Sequence, residues 1–144
     1  SYSLRKSPKR HFTDVSLAVA ALGANDDRLL NDLNFTGFLF ESMVTHDLRV
    51  YAQANDAGVY HYRDASGLEI DSIIQKYNGD WCAFEIKLGT GQIEDAAMNL
   101  KKFVAQLDPK KTKAPVSLNI ITGTGISYTR NDGINVISIG SLGM

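Results

Sequence analysis

Residues 59–89, VYHYRDASGLEIDSIIQKYNGDWCAFEIKLG, hold three strand-length segments in succession, separated by two tight-turn signals. Nothing else in the chain limits its fold as strongly. Asp64-Ala65-Ser66-Gly67 joins the first two, with Gly67 supplying the positive φ that a short hairpin commonly needs. Asn78-Gly79 leads into the third. Three neighbouring strands joined by turns commit this stretch to a sheet, and the flanking sequence must cover it.

That flanking sequence has helical periodicity. Asp14 precedes VSLAVAALG, closed by Gly23, as cap preferences place them. A longer helix is expected from about Phe35 to Asn55, with Phe38, Phe40, Val44, Leu48 and Tyr51 on one broad side and Leu39, Met43 and Val50 over much of the other. Glu41 falls within about 20° of Leu48 on that wheel, so its carboxyl is aimed inward and needs a partner. From Gly91 to Leu107 the residues Ile93, Ala96, Ala97, Leu100, Val104 and Leu107 repeat at helical spacing, and Pro109 ends the helix. A basic connector then enters the strand in VSLNIITG, and a last hairpin turns at Asn131-Asp132-Gly133 before INVISIG. The expected order is helix, helix, three strands, helix, strand, strand, an α/β architecture in one domain over residues 1–144.

Composition removes several classes of function. Fifteen basic against sixteen acidic residues give a net charge of -1, so no global positive field draws the chain to nucleic acid or membrane. A single cysteine, Cys82, excludes an internal disulfide and fits a reducing, cytoplasmic setting. No apolar run approaches the ~20 residues that span a bilayer, which makes Asn34-Phe35-Thr36 a chance glycosylation sequon. The opening SYSLRKSPKRHF, without an initiating Met, is read as the start of a fragment cut from a longer protein.

The third strand poses the chemical question. Side chains alternate along a strand, so Glu85 and Lys87 share a face ~6.7 Å apart, while Phe84, Ile86 and Leu88 take the other. On LEIDSIIQ the same alternation puts Leu68, Ile70, Ser72 and Ile74 on one face and Glu69, Asp71 and Ile73 on the other. If the apolar faces share one core, Asp71, Glu85 and Lys87 share the opposite surface. Strands ~4.8 Å apart let both carboxylates reach one hard cation, Mg²⁺ or Mn²⁺, with Lys87 beside it to orient water or stabilise a phosphorane-like transition state. Glu-Ile-Lys alone is a weak signal, read first as a same-face ion pair on a solvated strand. Asp71 and the inward Glu41 are what weigh against that reading.

Glu41 on a helix, GLEID with Asp71, then FEIK with Glu85 and Lys87 together resemble the PD-(D/E)XK nuclease-like superfamily. More narrowly, HFTDVSLAVAALG, TGFLFESMV, GLEIDSII and AFEIKLG resemble the domain of unknown function that follows the ATPase module in predicted bacterial and archaeal AAA-type ATPases. The resemblance implies a restriction-endonuclease-like core, a central mixed sheet flanked by helices. It also implies metal ligation by Asp71, Glu85 and the Ile86 backbone carbonyl, Lys87 as catalytic lysine and Glu41 as auxiliary acid. DNA cleavage and an N-terminal ATPase partner are the corresponding functional expectations, with a non-catalytic module that binds nucleic acid or protein and regulates that ATPase as the alternative. Glu69 shares the face of Asp71 and is either an outer acid or a surface carboxylate. Ser72 departs from the pattern, since many relatives carry a large apolar residue there.

The remaining signals are weaker. His11, His46 and His61 lack zinc-ligand spacing. Thr122-Gly123-Thr124-Gly125 is followed by no Gly-Lys-Ser/Thr, so no nucleotide site is expected, and no haem is expected either. Lys110, Lys111 and Lys113, with Lys101 and Lys102, form a local basic stretch that either stays solvated or follows a phosphate backbone. Arg5, Lys6, Lys9 and Arg10 extend the second possibility.

Overall fold

The computed structural model describes residues 33–139. The expected helix at Asp14–Gly23 and the basic residues before it lie outside them. Helix α1 spans Leu33–Ala54. It stops where Asn55 Nδ2 donates to the Tyr51 carbonyl at 2.9 Å and Asp56 turns left-handed at φ 53°. Three strands follow, β1 (Ala57–Arg63), β2 (Glu69–Lys76) and β3 (Trp81–Lys87), paired antiparallel in sequence. Gly67 and Gly79 both adopt φ 92°, so each expected turn falls on its glycine. The Asp64 carboxylate braces the first hairpin, accepting from Ser66 N and Oγ and from Leu68 N. These bonds, with those from Gln106 and Tyr62, hold it well below the usual carboxylate range.

A short 3₁₀ turn, Thr90–Gln92, opens helix α2, Ile93–Ala105. The chain returns through β4 (Ser117–Thr122), β5 (Tyr128–Thr129) and β6 (Asn135–Ser138). One mixed sheet results, in the order β1-β2-β3-β4-β6-β5, with β3–β4 and β4–β6 parallel. A parallel pair needs a crossover, and α2 supplies it between β3 and β4. Mixed strands flanked by helices are what the sequence leads one to expect.

Both faces of the sheet are covered. Successive residues go to opposite sides, Ala83, Ile120 and Val136 to a cluster with Ala96, Leu100 and Phe103 of α2, and Ile86 and Ile121 to one with Phe40 and Val44 of α1. The acid-bearing face therefore lies under α2 instead of forming a solvated surface. One expectation needs correction, on β2. Tyr60 pairs with Ile73 but Tyr62 with Ile70, so a bulge puts Asp71 and Ser72 together opposite His61. Ile70 is thereby carried into the α2-side cluster with Ile73, against simple alternation. On α1, Tyr51, Val50, Met43 and Phe38 are exposed, because the sheet accepts only one stripe of the helix.

Candidate functional site

The bulge is what builds the site. Pairing between β2 and β3 ends at Ser72–Phe84, whereas β1–β2 pairing continues to Arg63–Glu69. The two strands part at Asp71. Its Oδ2 accepts the Ile86 amide at 2.8 Å, taking the place of a ladder bond. Because the N–H and C=O of one strand residue face the same neighbour, the Ile86 carbonyl is directed to the same fork.

Glu85 sits beside this carboxylate, 2 % exposed, and Asp71 is 9 % exposed. Burial, then the Asp71 charge and a hydrogen bond with its carboxyl, push the Glu85 carboxyl from 4.5 up to about 8, against the pull of Lys87 and Asn99. Lys87 Nζ stands 3.6 Å from Glu85 Oε2, and its side chain is 30 % exposed. Asp71, Glu85 and Lys87 are thus brought together, with the lysine as the member that reaches solvent.

Glu41 is placed differently. It is half-buried on α1, which packs on the opposite sheet face. A Cβ added at Gly123 would lie 3.4 Å from Phe40 Cε1, so the start of α1 lies at the end of the sheet where β3 finishes. Glu41 therefore shares an end with Lys87 but belongs to the other layer. The basic stretch is farther off. Lys113 pairs with Asp80 at 3.1 Å, and its carbonyl accepts from Trp81 Nε1 at 2.8 Å, at the start of β3. Glu85 lies four residues along that strand, ~13 Å away. Lys110 and Lys111 are exposed on the turn after Asp108, and Lys101 pairs with Asp132 at 2.7 Å.

Two contributors were not legible in the sequence. Asn99 of α2 donates through Nδ2 to the Glu69 carbonyl at 2.7 Å and to Glu85 Oε1 at 3.1 Å. The only sequence signal was an amide on a helix between the buried Ala96 and Leu100. His61 is buried against the bulge, with Nε2 3.1 Å from Glu69 Oε1 and Nδ1 3.4 Å from the Asp71 carbonyl.

A small divalent cation suits this donor set. Two adjoining carboxyls share one lysine, and the Asp71 charge is, after burial, what raises Glu85, so a cation between them would favour the ionised pair. Among the described residues no group of three or more His, Cys, Asp or Glu forms a cage. Such a cation would take two carboxylate oxygens and complete its shell with water, as Mg²⁺ commonly does. Among the described residues no helix is long and apolar enough to cross a membrane.

Comparison with known proteins gives a family and little more. No curated protein matches the chain. Among solved structures, a chain in an assembly of Thermococcus gammatolerans McrB AAA+ hexamers with bound McrC is similar at 12 % identity and a TM-score of 0.46. The likeness covers 71 % of this chain and 27 % of that one. Residues 36–142 match the model of a domain of unknown function, DUF4143, a span that runs from α1 past the end of β6. The chain belongs to the DUF4143 family.

Proposed function

We propose that this domain hydrolyses phosphodiester bonds, with DNA as substrate, at a divalent-cation site formed by Asp71 and Glu85, and that it serves an ATPase module in the same protein. The observation that carries the reading is the buried carboxyl pair at the β2–β3 fork with Lys87 Nζ 3.6 Å away. When bound, Mg²⁺ or Mn²⁺ would polarise a phosphoryl oxygen and acidify a water. Asp71 and Glu85 would hold it, and the Ile86 carbonyl faces the same fork. Lys87 would stabilise charge that develops as water adds to phosphorus and the bond to the leaving oxygen breaks. Glu41 remains an auxiliary acid in this scheme, and Lys110, Lys111 and Lys113 a distant contact for phosphates. The ATPase link rests on the sequence motifs alone.

A second reading has its own support. With Glu85 and Asp71 this buried, substrate must approach through the side that Lys87 lines. A closed acid pair also suits a non-catalytic module that recognises nucleic acid or protein and regulates the ATPase. Cleavage assays separate the two. The domain, alone and joined to its native N-terminal part, is incubated with single- and double-stranded DNA and RNA in Mg²⁺ or Mn²⁺. Cleavage lost in Lys87→Ala and Glu85→Ala supports hydrolysis, and no cleavage in any combination favours the recognition module.

A further inference from the structure

We infer that Asn99 is a positioning residue for the cation site, acting through Glu85 and resting on the metal-site reading above. One amide nitrogen serves two acceptors on two strands, the Glu69 main-chain carbonyl of β2 and Oε1 of Glu85 on β3. Both of its hydrogens are used, so rotation of the amide breaks at least one bond. The consequence for Glu85 is directional. With Oε1 engaged by Asn99, Oε2 is the oxygen turned to Lys87 at 3.6 Å. Asp71 is restrained in a similar way, because its Oδ2 takes the Ile86 amide. Each acid therefore has one oxygen tied to the scaffold, and its orientation is set before any ligand arrives.

Asn99 is well suited to this because it comes from the crossover helix. Ala96, Leu100 and Phe103 fix α2 against the sheet, and the amide is half-buried at the edge of that contact. It also spans the fork, on the two strands whose pairing stops at Ser72–Phe84. Loss of the amide frees the Glu85 carboxyl to turn and leaves the Glu69 carbonyl without this donor. Groups that orient metal ligands commonly change affinity by about 10–100-fold when removed.

The test measures Mn²⁺ affinity by calorimetry for wild type, Asn99→Ala, Asn99→Leu and Asp71→Ala, with the melting temperature of each in the absence of metal. Leu matches the Asn side chain in size and favours helix, so it keeps the packing and removes only the donor. The inference predicts that both Asn99 variants fold and bind Mn²⁺ at least about 10-fold more weakly. A merely structural role lowers the melting temperature and leaves the affinity of the folded protein unchanged. Affinity within about twofold of wild type in Asn99→Leu, with Asp71→Ala abolishing binding, overturns the positioning role while the metal site stands. No binding by wild type, or equal binding by wild type and Asp71→Ala, overturns both.

Discussion

Replacing Glu85 by Gln isolates the cost of ionising a carboxyl under α2. In the folded chain burial, followed by the Asp71 charge, lifts this group from 4.5 to about 8. Between those values the native state holds a proton that the unfolded chain has released. The sign follows: the stability contributed by neutral Glu85 is fully present below about pH 4.5 and is lost as pH rises through about 8. At ~1.4 kcal/mol per unit, the whole window is worth on the order of 5 kcal/mol. That is a large share of the ~5–15 kcal/mol that holds a typical domain together. Glu85→Gln keeps the shape and an acceptor for Asn99 but does not titrate. Urea unfolding, followed by fluorescence of the single, buried Trp81, is measured for both proteins from pH 5 to about 8.5. Asp64, Asp80, Glu94 and Asp132 are all held below their ordinary values, so their losses come at lower pH. Groups that do not interact with Glu85 cancel in the difference, and the difference reports the Asp71–Glu85 pair. The expected result is a wild-type stability that falls across the window relative to Glu85→Gln, so that the variant is the more stable protein at pH 8.5. Parallel curves, or a wild type that gains on the variant as pH rises, would refute the assignment of a neutral buried carboxyl.

Other expectations follow from particular contacts. Leu100→Ala empties a fully buried position between α2 and the sheet, and chemical denaturation should show a loss of about 2–5 kcal/mol. Gln106→Ala removes bonds to Tyr62 Oη at 2.8 Å and Asp64 Oδ2 at 3.0 Å, and should cost about 1–2 kcal/mol by the same measurement. Gly67→Ala meets no atom within 4 Å but sits at φ 92°, so any loss, expected at about 1–2 kcal/mol, reports backbone strain alone. Lys113→Ala breaks a pair with Asp80 whose partners are both exposed to solvent, and should shift the unfolding midpoint little, an effect that salt reduces further.

The sheet and the shared face of Glu85 and Lys87 were readable because strand alternation and turn glycines are local properties. Gly67 and Gly79 marked both turns, and Phe84, Ile86 and Leu88 fell on the side expected of them. What lay beyond reach depended on packing. The bulge at Asp71-Ser72 shifts the face of Ile70, and no residue type there announces it. Nor does the sequence say that α2 covers the acid face, since its amphipathic pattern fits either side of the sheet. Asn99 acquires its role only from that choice. The helical wheel aims Glu41 inward and the residue is half-buried, but the wheel does not say which sheet face α1 will occupy.

The central claim, that Asp71 and Glu85 form a divalent-cation site, is tested most directly by anomalous diffraction from crystals grown with Mn²⁺. The account predicts one manganese peak bridging the two carboxyls at the β2–β3 fork, within ~2.5 Å of an oxygen from each, and its disappearance in Asp71→Ala. Well-ordered crystals with no peak there, or with a peak that persists in Asp71→Ala, would contradict it.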